Sequence, residues 1–315
     1  MIAERDRQGT EQQEPPKAGF VVILGRPNVG KSTFLNGVLG QKLSIVNPKP
    51  QTTRHRVVGI LTRPEGQIAF LDTPGFLTPK DRLQEAMRVT VEKSLKGADL
   101  IMVMGDATTA ARGVDLVDSE ILEMVKGSGL PSLFVVNKID ALQPAELARL
   151  SHANVELPSF LEIHWTSALL GDGVETICQR LFHWLPGSPP YYPGDQISDQ
   201  PLRFFAAELI RETIYEQFRE EVPYSTAVVV EEFREDREVG QARKVYIRAE
   251  ILVERESQKG IIIGQGGRTL RSVGAVAREK IERLIGRPVF LDLWVKVNKD
   301  WRKDRREVRR LGYVS

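Results

Sequence analysis

Gly25-Arg26-Pro27-Asn28-Val29-Gly30-Lys31-Ser32 is the stretch on which the reading of this chain turns. It fits G-x-x-x-x-G-K-[ST]. An apolar run, Phe20–Leu24, precedes it and a helix-like segment, Thr33–Leu39, follows, the strand–loop–helix setting that a phosphate-cradling loop needs. Gly25 and Gly30 let backbone N–H groups approach phosphate oxygens, and the start of the helix adds partial positive charge. Lys31 can place its ammonium between the β- and γ-phosphates, while the Ser32 hydroxyl can ligate Mg²⁺. Arg26, Pro27, Asn28, Val29 and Thr33 complete the set of candidate nucleotide contacts here.

Working outward, apolar runs recur at Ile68–Leu71, Leu100–Met104, Leu133–Val136 and Ile163–Trp165, with helix-like segments between most of them. Runs without alternation imply strands buried on both faces. The spacing therefore predicts an α/β domain whose mainly parallel sheet is covered by helices on both sides. The block ends near Trp184, and Leu185 to Pro201, with five prolines, reads as a linker.

The second block has another rhythm. Leu202 to Glu221 is an amphipathic helix by period, with Leu202, Phe205, Leu209, Ile214 and Phe218 on its apolar side. Strand-like runs follow at Thr226–Phe233 and Lys244–Val253, then a glycine-rich segment, a helix from about Thr269 to Leu284, and a last strand of alternating residues from Val289 to Val297. This order predicts a compact α+β unit of about 100 residues. The expected organisation is a disordered tail (1–17), a nucleotide domain (18–186), a linker (187–200), a second domain (201–298) and a basic tail (299–315).

Three further motifs select the nucleotide. Asp72-Thr73-Pro74-Gly75 ends the Ile68–Leu71 strand, so the carboxylate can reach Mg²⁺ through water and the Gly75 N–H can face a γ-phosphate. Asn137-Lys138-Ile139-Asp140 ends the next strand. Asp140 can accept from guanine N1–H and N2–H₂, and Asn137 can bond the acceptor edge of the base. Adenine lacks both donors and would leave the carboxylate unpaired, a loss of about 1–3 kcal/mol or more. Thr166-Ser167-Ala168, after another strand, can offer a backbone N–H to guanine O6. Each motif sits at a strand's C-terminal end, where open α/β sheets bind ligands. The nucleotide read from the residues is GTP or GDP with Mg²⁺.

Together with Gln51-Thr52-Thr53-Arg54-His55-Arg56 and the D-T-P-G form of the third motif, this spacing resembles the Era family of bacterial GTPases. The resemblance runs from about Gly19 to Lys303. It implies a P-loop GTPase domain joined to a type II KH domain, with Thr53 as a Mg²⁺ ligand and γ-phosphate sensor, beside Ser32 and Asp72. It also implies switches at Gln51–Arg56 and Phe76–Lys80 that order with GTP and release after hydrolysis. Lys31, Thr53 and Asn28 are the candidate catalytic residues. Phe76 stands where many GTPases carry a water-orienting Gln and can neither donate nor accept, so slow intrinsic hydrolysis is expected. Asn28 has two readings: a ligand holding K⁺ beside the phosphates, as in GTPases with a similar G-x-P-N-V-G-K loop, or a residue shaping the loop.

Gly264-Gln265-Gly266-Gly267, flanked by Gln258, Lys259 and Arg268, lies between two helix-like segments. Glycines there let a nucleic-acid backbone lie against the turn, and the following helix start presents N–H groups to phosphate. Alone G-x-x-G is a common turn. In this order of elements it resembles a type II KH loop, and Ser257–Ser272 is close to the Era pattern, with Gln265 departing from a more usual Lys. Lys259, Gly264, Gln265, Gly266, Gly267, Arg268, Arg271, Arg302 and Lys303 are the candidate RNA contacts. Trp301 reads equally as a base-stacking or a packing residue.

The chain's 44 Lys and Arg nearly balance its 42 Asp and Glu, but unevenly along its length. Residues 201–315 hold 24 basic and 19 acidic side chains, and residues 296–315 hold eight against three. Charge thus favours an anionic partner for the second block. The single cysteine, Cys178, excludes an internal disulfide, and no apolar run reaches the length of a membrane span. The resemblance implies binding near the 3′ end of small-subunit rRNA on the 30S subunit, by a cytoplasmic monomer with peripheral membrane contact. The Glu-rich polar face of 202–221 argues against anionic lipid. Two rivals remain: a GTPase of tRNA modification or membrane signalling, which leaves G-x-x-G unexplained, and an RNA-binding module with a degenerate nucleotide site, which leaves the full motif set unexplained.

Overall fold

The computed structural model describes residues 15–152, 159–239 and 242–313. The disordered tail expected at 1–17 lies outside them up to residue 14, and Lys17 already opens a strand.

The first half alternates strands and helices. β1 (Lys17–Leu24), α1 (Lys31–Leu39), β2 (Val57–Arg63), β3 (Gly66–Asp72), α2 (Arg82–Lys96), β4 (Leu100–Asp106), α3 (Ala107–Ala111), α4 (Ser119–Ser128), β5 (Ser132–Asn137), α5 (Pro144–His152), β6 (Glu162–Trp165) and α6 (Val174–Trp184) follow in turn. Six strands form one sheet in the order β2-β3-β1-β4-β5-β6, parallel except for β2 against β3. Every residue of β3, β4 and β5 is buried, as runs without alternation require. Phe34 and Leu35 of α1 join Ile177 and Leu181 of α6 on one face, while Val91 of α2 and Ile121 and Val125 of α4 cover the other.

The β2 strand was not expected. Its hairpin with β3 opens at Gly66, where φ is 148° and a Cβ would sit 1.7 Å from the Lys17 carbonyl oxygen, so only glycine fits. The linker is not free either. The Gln67 side chain takes the N–H groups of Tyr191 and Tyr192 (both 2.9 Å), and the Ile60 N–H donates to the Ile197 carbonyl (2.9 Å). The chain thereby covers part of the exposed edge of β2, which would otherwise present unpaired backbone groups.

The second half comprises α7 (Leu202–Gln217), α8 (Val222–Ser225), β7 (Ala227–Val239), β8 (Ala242–Val253), α9 (Glu256–Ile263), α10 (Arg268–Ile285), β9 (Val289–Val297) and α11 (Arg305–Arg310). The sheet order is β7-β8-β9, antiparallel then parallel. One core gathers Ile210 and Ile214 of α7, Ile247 and Ile251 of β8, and Val273 and Ile281 of α10. The helix read over 202–221 ends at Gln217, and its polar side is only partly solvated: Arg203 and Glu216 are exposed, while Arg211 and Glu212 are buried.

The residues expected as a basic tail fold instead. Trp301 is fully buried, its Nε1 donates to the Ser225 carbonyl (2.8 Å), and with Val308 and Tyr313 it packs on Leu83 and Met87 of α2. That burial removes the base-stacking reading of Trp301.

Candidate functional site

The nucleotide motifs converge at the C-terminal edge of the parallel sheet. Leu24 ends β1, Asp72 ends β3, Asn137 ends β5 and Trp165 ends β6, so each loop leaves the sheet toward the same cavity of about 420 Å³. Pro27, Asn28, Gly30, Lys31, Ser32, Thr33, Thr53, Gly75, Asn137, Lys138 and Asp140 line it. Ile45–Pro48 and Leu169 line it as well and were missed from sequence, since an apolar loop residue carries no motif; Leu169 is 73% exposed and follows Ala168 directly.

Lys31 folds over the loop, its Nζ donating to the carbonyls of Gly25 (3.1 Å) and Arg26 (2.9 Å). Burial lowers its pKa to about 8 despite the nearby Asp72 carboxylate. Arg26 turns away, donating to Asp118 (2.9 Å) and the Asp115 carbonyl (2.8 Å). Asn28 has a left-handed φ of 64° and donates to the Pro48 carbonyl (2.6 Å), so in this arrangement it shapes the loop and ties it to the segment that leads into Gln51–Arg56. The segment expected as the second switch is tied to the same loop by its Phe76 N–H, which donates to the Gly25 carbonyl (3.0 Å), and just before it Thr73 Oγ1 donates to the Ile23 carbonyl of β1 (2.7 Å). A Cβ on Gly75 would meet Pro27 backbone at 2.7 Å, which leaves glycine alone at that position. Pro74 and Phe76 are buried, the latter under the Arg88 guanidinium at 5.3 Å.

The oxygens read as metal ligands meet. Ser32 Oγ lies 2.8 Å from Asp72 Oδ2 and 3.0 Å from Thr53 Oγ1. Asp72 Oδ1 is buried with no hydrogen-bond partner, and burial raises the carboxyl's pKa against the pull of Lys31. Three hard oxygens and an orphaned carboxylate oxygen fit Mg²⁺.

On the base side the motif residues also bind one another. Asn137 is 2% exposed, donates through Nδ2 to the Val29 carbonyl (2.8 Å) and accepts at Oδ1 from the Ala168 N–H (2.8 Å). It pins three loops together at the edge of the cavity. Ser167 Oγ donates to Asp140 Oδ1 (2.5 Å), and the Thr166 N–H to the Val136 carbonyl (2.9 Å). Lys138, at φ 69°, pairs with Asp106 (2.6 Å). Asp140 stays exposed at the cavity wall.

In the second domain, α9 ends at Gly264 and α10 begins after Gly267, with Gly264, Gly266 and Gly267 all at positive φ. Gln265 and Arg268 are exposed beside them, and Lys259 is half-buried. Arg271 braces the turn by donating to the Gly266 carbonyl (3.1 Å). A groove of about 460 Å³ runs from this turn between α10 and β9, lined by Leu270, Arg271, Gly274, Arg278, Leu291 and Leu293. Of these only Arg271 was read from sequence; the rest became visible once the strand lay beside the helix. Lys303 is exposed and pairs with Asp300 (3.1 Å). Arg302 is drawn elsewhere, to Glu254 (2.7 Å) and Asp81 (3.7 Å), so it bridges the domains.

The two sites are joined through the first switch. The Tyr215 hydroxyl donates to the Gln51 carbonyl (3.1 Å) and Arg211 donates to the Thr52 carbonyl. Arg54 is buried, donating to the carbonyls of Thr226 (2.7 Å), Tyr224 (2.9 Å) and Pro223 (3.2 Å). Thr53 thus lies between residues fastened to α7 and α8. No sequence signal marked this, because Arg54 has neighbours only in three dimensions.

Comparison with known proteins agrees with this geometry. Residues 20–138 match the family described as 50S ribosome-binding GTPase, and residues 221–302 match the KH domain family. GTPase Era of Thermotoga maritima is 47% identical, over 91% of this chain and 94% of that relative. GTPase Era of Syntrophus aciditrophicus is 44% identical, over 94% and 95%. Among solved structures, a point variant of Aquifex aeolicus Era bound to GDP.AlF4⁻ superposes with a TM-score of 0.87 at 42% identity. Era in complex with MgGDPNP and nucleotides 1506–1542 of 16S ribosomal RNA gives 0.88 at 42%; both matches cover 95% of this chain and 100% of the other.

Proposed function

The chain belongs to the Era family of GTPases, and on that premise we propose that it binds near the 3′ end of small-subunit rRNA on the 30S subunit, with GTP or GDP setting how firmly it holds RNA. The observation that carries this reading is the fastening of the Thr53 loop to α7 and α8. A loop that orders around Mg²⁺ and a γ-phosphate moves the same backbone that the KH domain grips, so nucleotide state biases domain arrangement. The relative crystallised with a 16S rRNA fragment supports the choice of RNA.

The nucleotide contacts we assign are residues 25–33, 72–75, 137–138, 140 and 166–168, with Ser32, Thr53 and Asp72 holding Mg²⁺. Bound there, Mg²⁺ neutralises charge on the transferring phosphoryl group. Lys31 supplies fixed positive charge, and Thr53 closes the site. With Phe76 apolar and buried, no side chain at that position orients water. We assign K⁺ to Asn28 as the complementary charge: its Oδ1 remains available while Nδ2 holds Pro48. Equal turnover in K⁺ and Na⁺ would remove that role. RNA contacts fall to Lys259, residues 264–268, Arg271 and Lys303, with Arg302 joining only if its ion pairs open.

We read a monomer acting in the cytoplasm, with any membrane contact peripheral; no helix among the described residues is long and apolar enough to cross a membrane. The deciding experiment is fluorescence anisotropy of the full chain with an oligonucleotide of the rRNA 3′ end. Affinity is expected to be higher with a non-hydrolysable GTP analogue than with GDP, and Lys31→Ala to abolish the difference. Equal affinities in both states would reject nucleotide control, and binding to tRNA alone would favour the tRNA rival.

A further inference from the structure

A second cavity, of about 640 Å³, lies between the domains and is larger than the nucleotide pocket. Its walls bring together Arg56 at the end of the first switch, Lys93 on α2, Arg203, Glu208 and Arg211 on α7, and Arg310 on α11. The charges do not cancel. Glu208 is taken by Arg211 Nε (2.9 Å), and Arg310 by Glu307 (2.8 Å). Arg203 donates to the Val230 carbonyl (2.8 Å), a neutral partner, and Arg56 is exposed with no carboxylate paired to it among the described residues. Arg56 and Arg203 therefore leave a positive surplus in a cleft whose walls focus the field.

Two independent features point to an anion. Arg211 is 1% exposed and lines the cleft, and its Nη1 has no hydrogen-bond partner. Pro201, the residue before the first turn of α7, also lines it and offers no side-chain cap; its carbonyl takes the Phe204 N–H (2.9 Å), and the helix start leaves the N–H groups of Leu202 and Arg203 for a ligand. Beside these, His55 stacks on Tyr313 at 4.5 Å and meets Phe204 edge-on at 5.5 Å, giving the cleft a ring-lined wall.

We propose that this cleft binds a compact polyphosphate anion, at a site separate from the nucleotide pocket and the KH groove. Because Arg56 belongs to one domain and Arg203 and Arg211 to the other, the anion bridges them and favours the arrangement seen here. Linkage then requires that anything altering the first switch alters anion affinity by the same factor as the reverse. The inference does not rest on the RNA reading, and its failure would leave that reading standing.

The test uses the full chain saturated with MgGDP, so that the nucleotide pocket is filled, and titrates inorganic tripolyphosphate calorimetrically at fixed free Mg²⁺. One site per chain is expected. Arg56→Ala and Arg203→Ala should each weaken it about tenfold, as loss of a charge-assisted contact does. Arg56→Lys should recover most of the loss, and Arg271→Ala, in the KH groove, should leave the affinity for tripolyphosphate as it is in the parent. Matching thermal melts establish that these variants fold. No binding, binding indifferent to Arg56 and Arg203, or binding lost with Arg271 overturns the proposal. So does an RNA oligonucleotide that crosslinks at this cleft when tripolyphosphate does not bind.

Discussion

Arg54 of the first switch donates through Nη2 to the hydroxyl of Tyr215 on α7 at 3.1 Å, its guanidinium 6.0 Å from the ring centroid. The same hydroxyl donates to the Gln51 carbonyl, so one KH side chain holds the switch on both sides of Thr53. Arg54 is 0% exposed, and three backbone carbonyls of the KH domain accept from it.

Arg54→Ala strips those carbonyls of a charged donor in a buried interface. The expected loss is about 2–4 kcal/mol, from hydrogen bonds to a charged group plus the acceptors left unpaired. Urea unfolding checks the stability. The same variant should bind rRNA with equal affinity in GTP and GDP states, and a retained difference would mean that coupling runs elsewhere.

Asp140, the residue we assign to guanine N1–H and N2–H₂, is exposed at the cavity wall, with Ser167 donating to one of its oxygens. Asp140→Asn exchanges an acceptor for a donor opposite guanine N2–H₂. GTP affinity should fall about 10- to 100-fold, the usual loss when a buried polar pair is mismatched. Xanthine carries a carbonyl where guanine carries that amino group, so the variant should prefer XTP over GTP in competition binding.

How much of this was legible depended on whether the signal was local. Lys31, Ser32, Asp72 and Asp140 were readable because their chemistry comes with fixed spacing at strand ends, and the sheet brings those ends together. The bonds of Asn137 to Val29 and Ala168 were not legible, since those partners lie on other loops. In the C-terminal segment Trp301 was legible as a packing residue among eight basic side chains, but its companions Val308 and Tyr313 acquire meaning only against α2. Strand β2 was missed for a similar reason: an antiparallel edge strand in an otherwise parallel sheet breaks the alternation on which the reading relied.

Cys178 on α6 reports on the first domain. It is 1% exposed, and burial pushes its thiol from 9.0 up to about 11. The folded chain keeps the proton that the unfolded chain releases, so this contribution is intact below pH 9 and lost as pH rises toward 11. The loss amounts to about 3 kcal/mol by linkage. Cys178→Ala should flatten the stability profile in that window relative to the parent, and a thiol reagent at about pH 8, below the thiol's ordinary range, should label the parent only as it unfolds.

Arg271 faces the KH groove and also braces the G-x-x-G turn through the Gly266 carbonyl. Arg271→Ala should weaken RNA binding at every sequence tested and lower the slope of log K against log salt by about 0.7, the value for one phosphate contact on a single strand. An unchanged slope with weaker binding would assign Arg271 to turn geometry alone.

Trp301 carries the last expectation. Its indole is fully buried, bonded to the Ser225 carbonyl at 2.8 Å and stacked with Tyr313 at a centroid distance of 5.8 Å. Leu83 and Met87 from α2 complete the cluster, so this residue fastens α2 to the KH domain. Trp301→Ala should cost about 3–5 kcal/mol, as large-to-small changes in a closed core do. A base-stacking residue would give the opposite pattern, with weaker RNA binding and unaltered unfolding. Parallel measurement of the urea midpoint and of RNA affinity at a temperature where the variant remains folded separates the two outcomes.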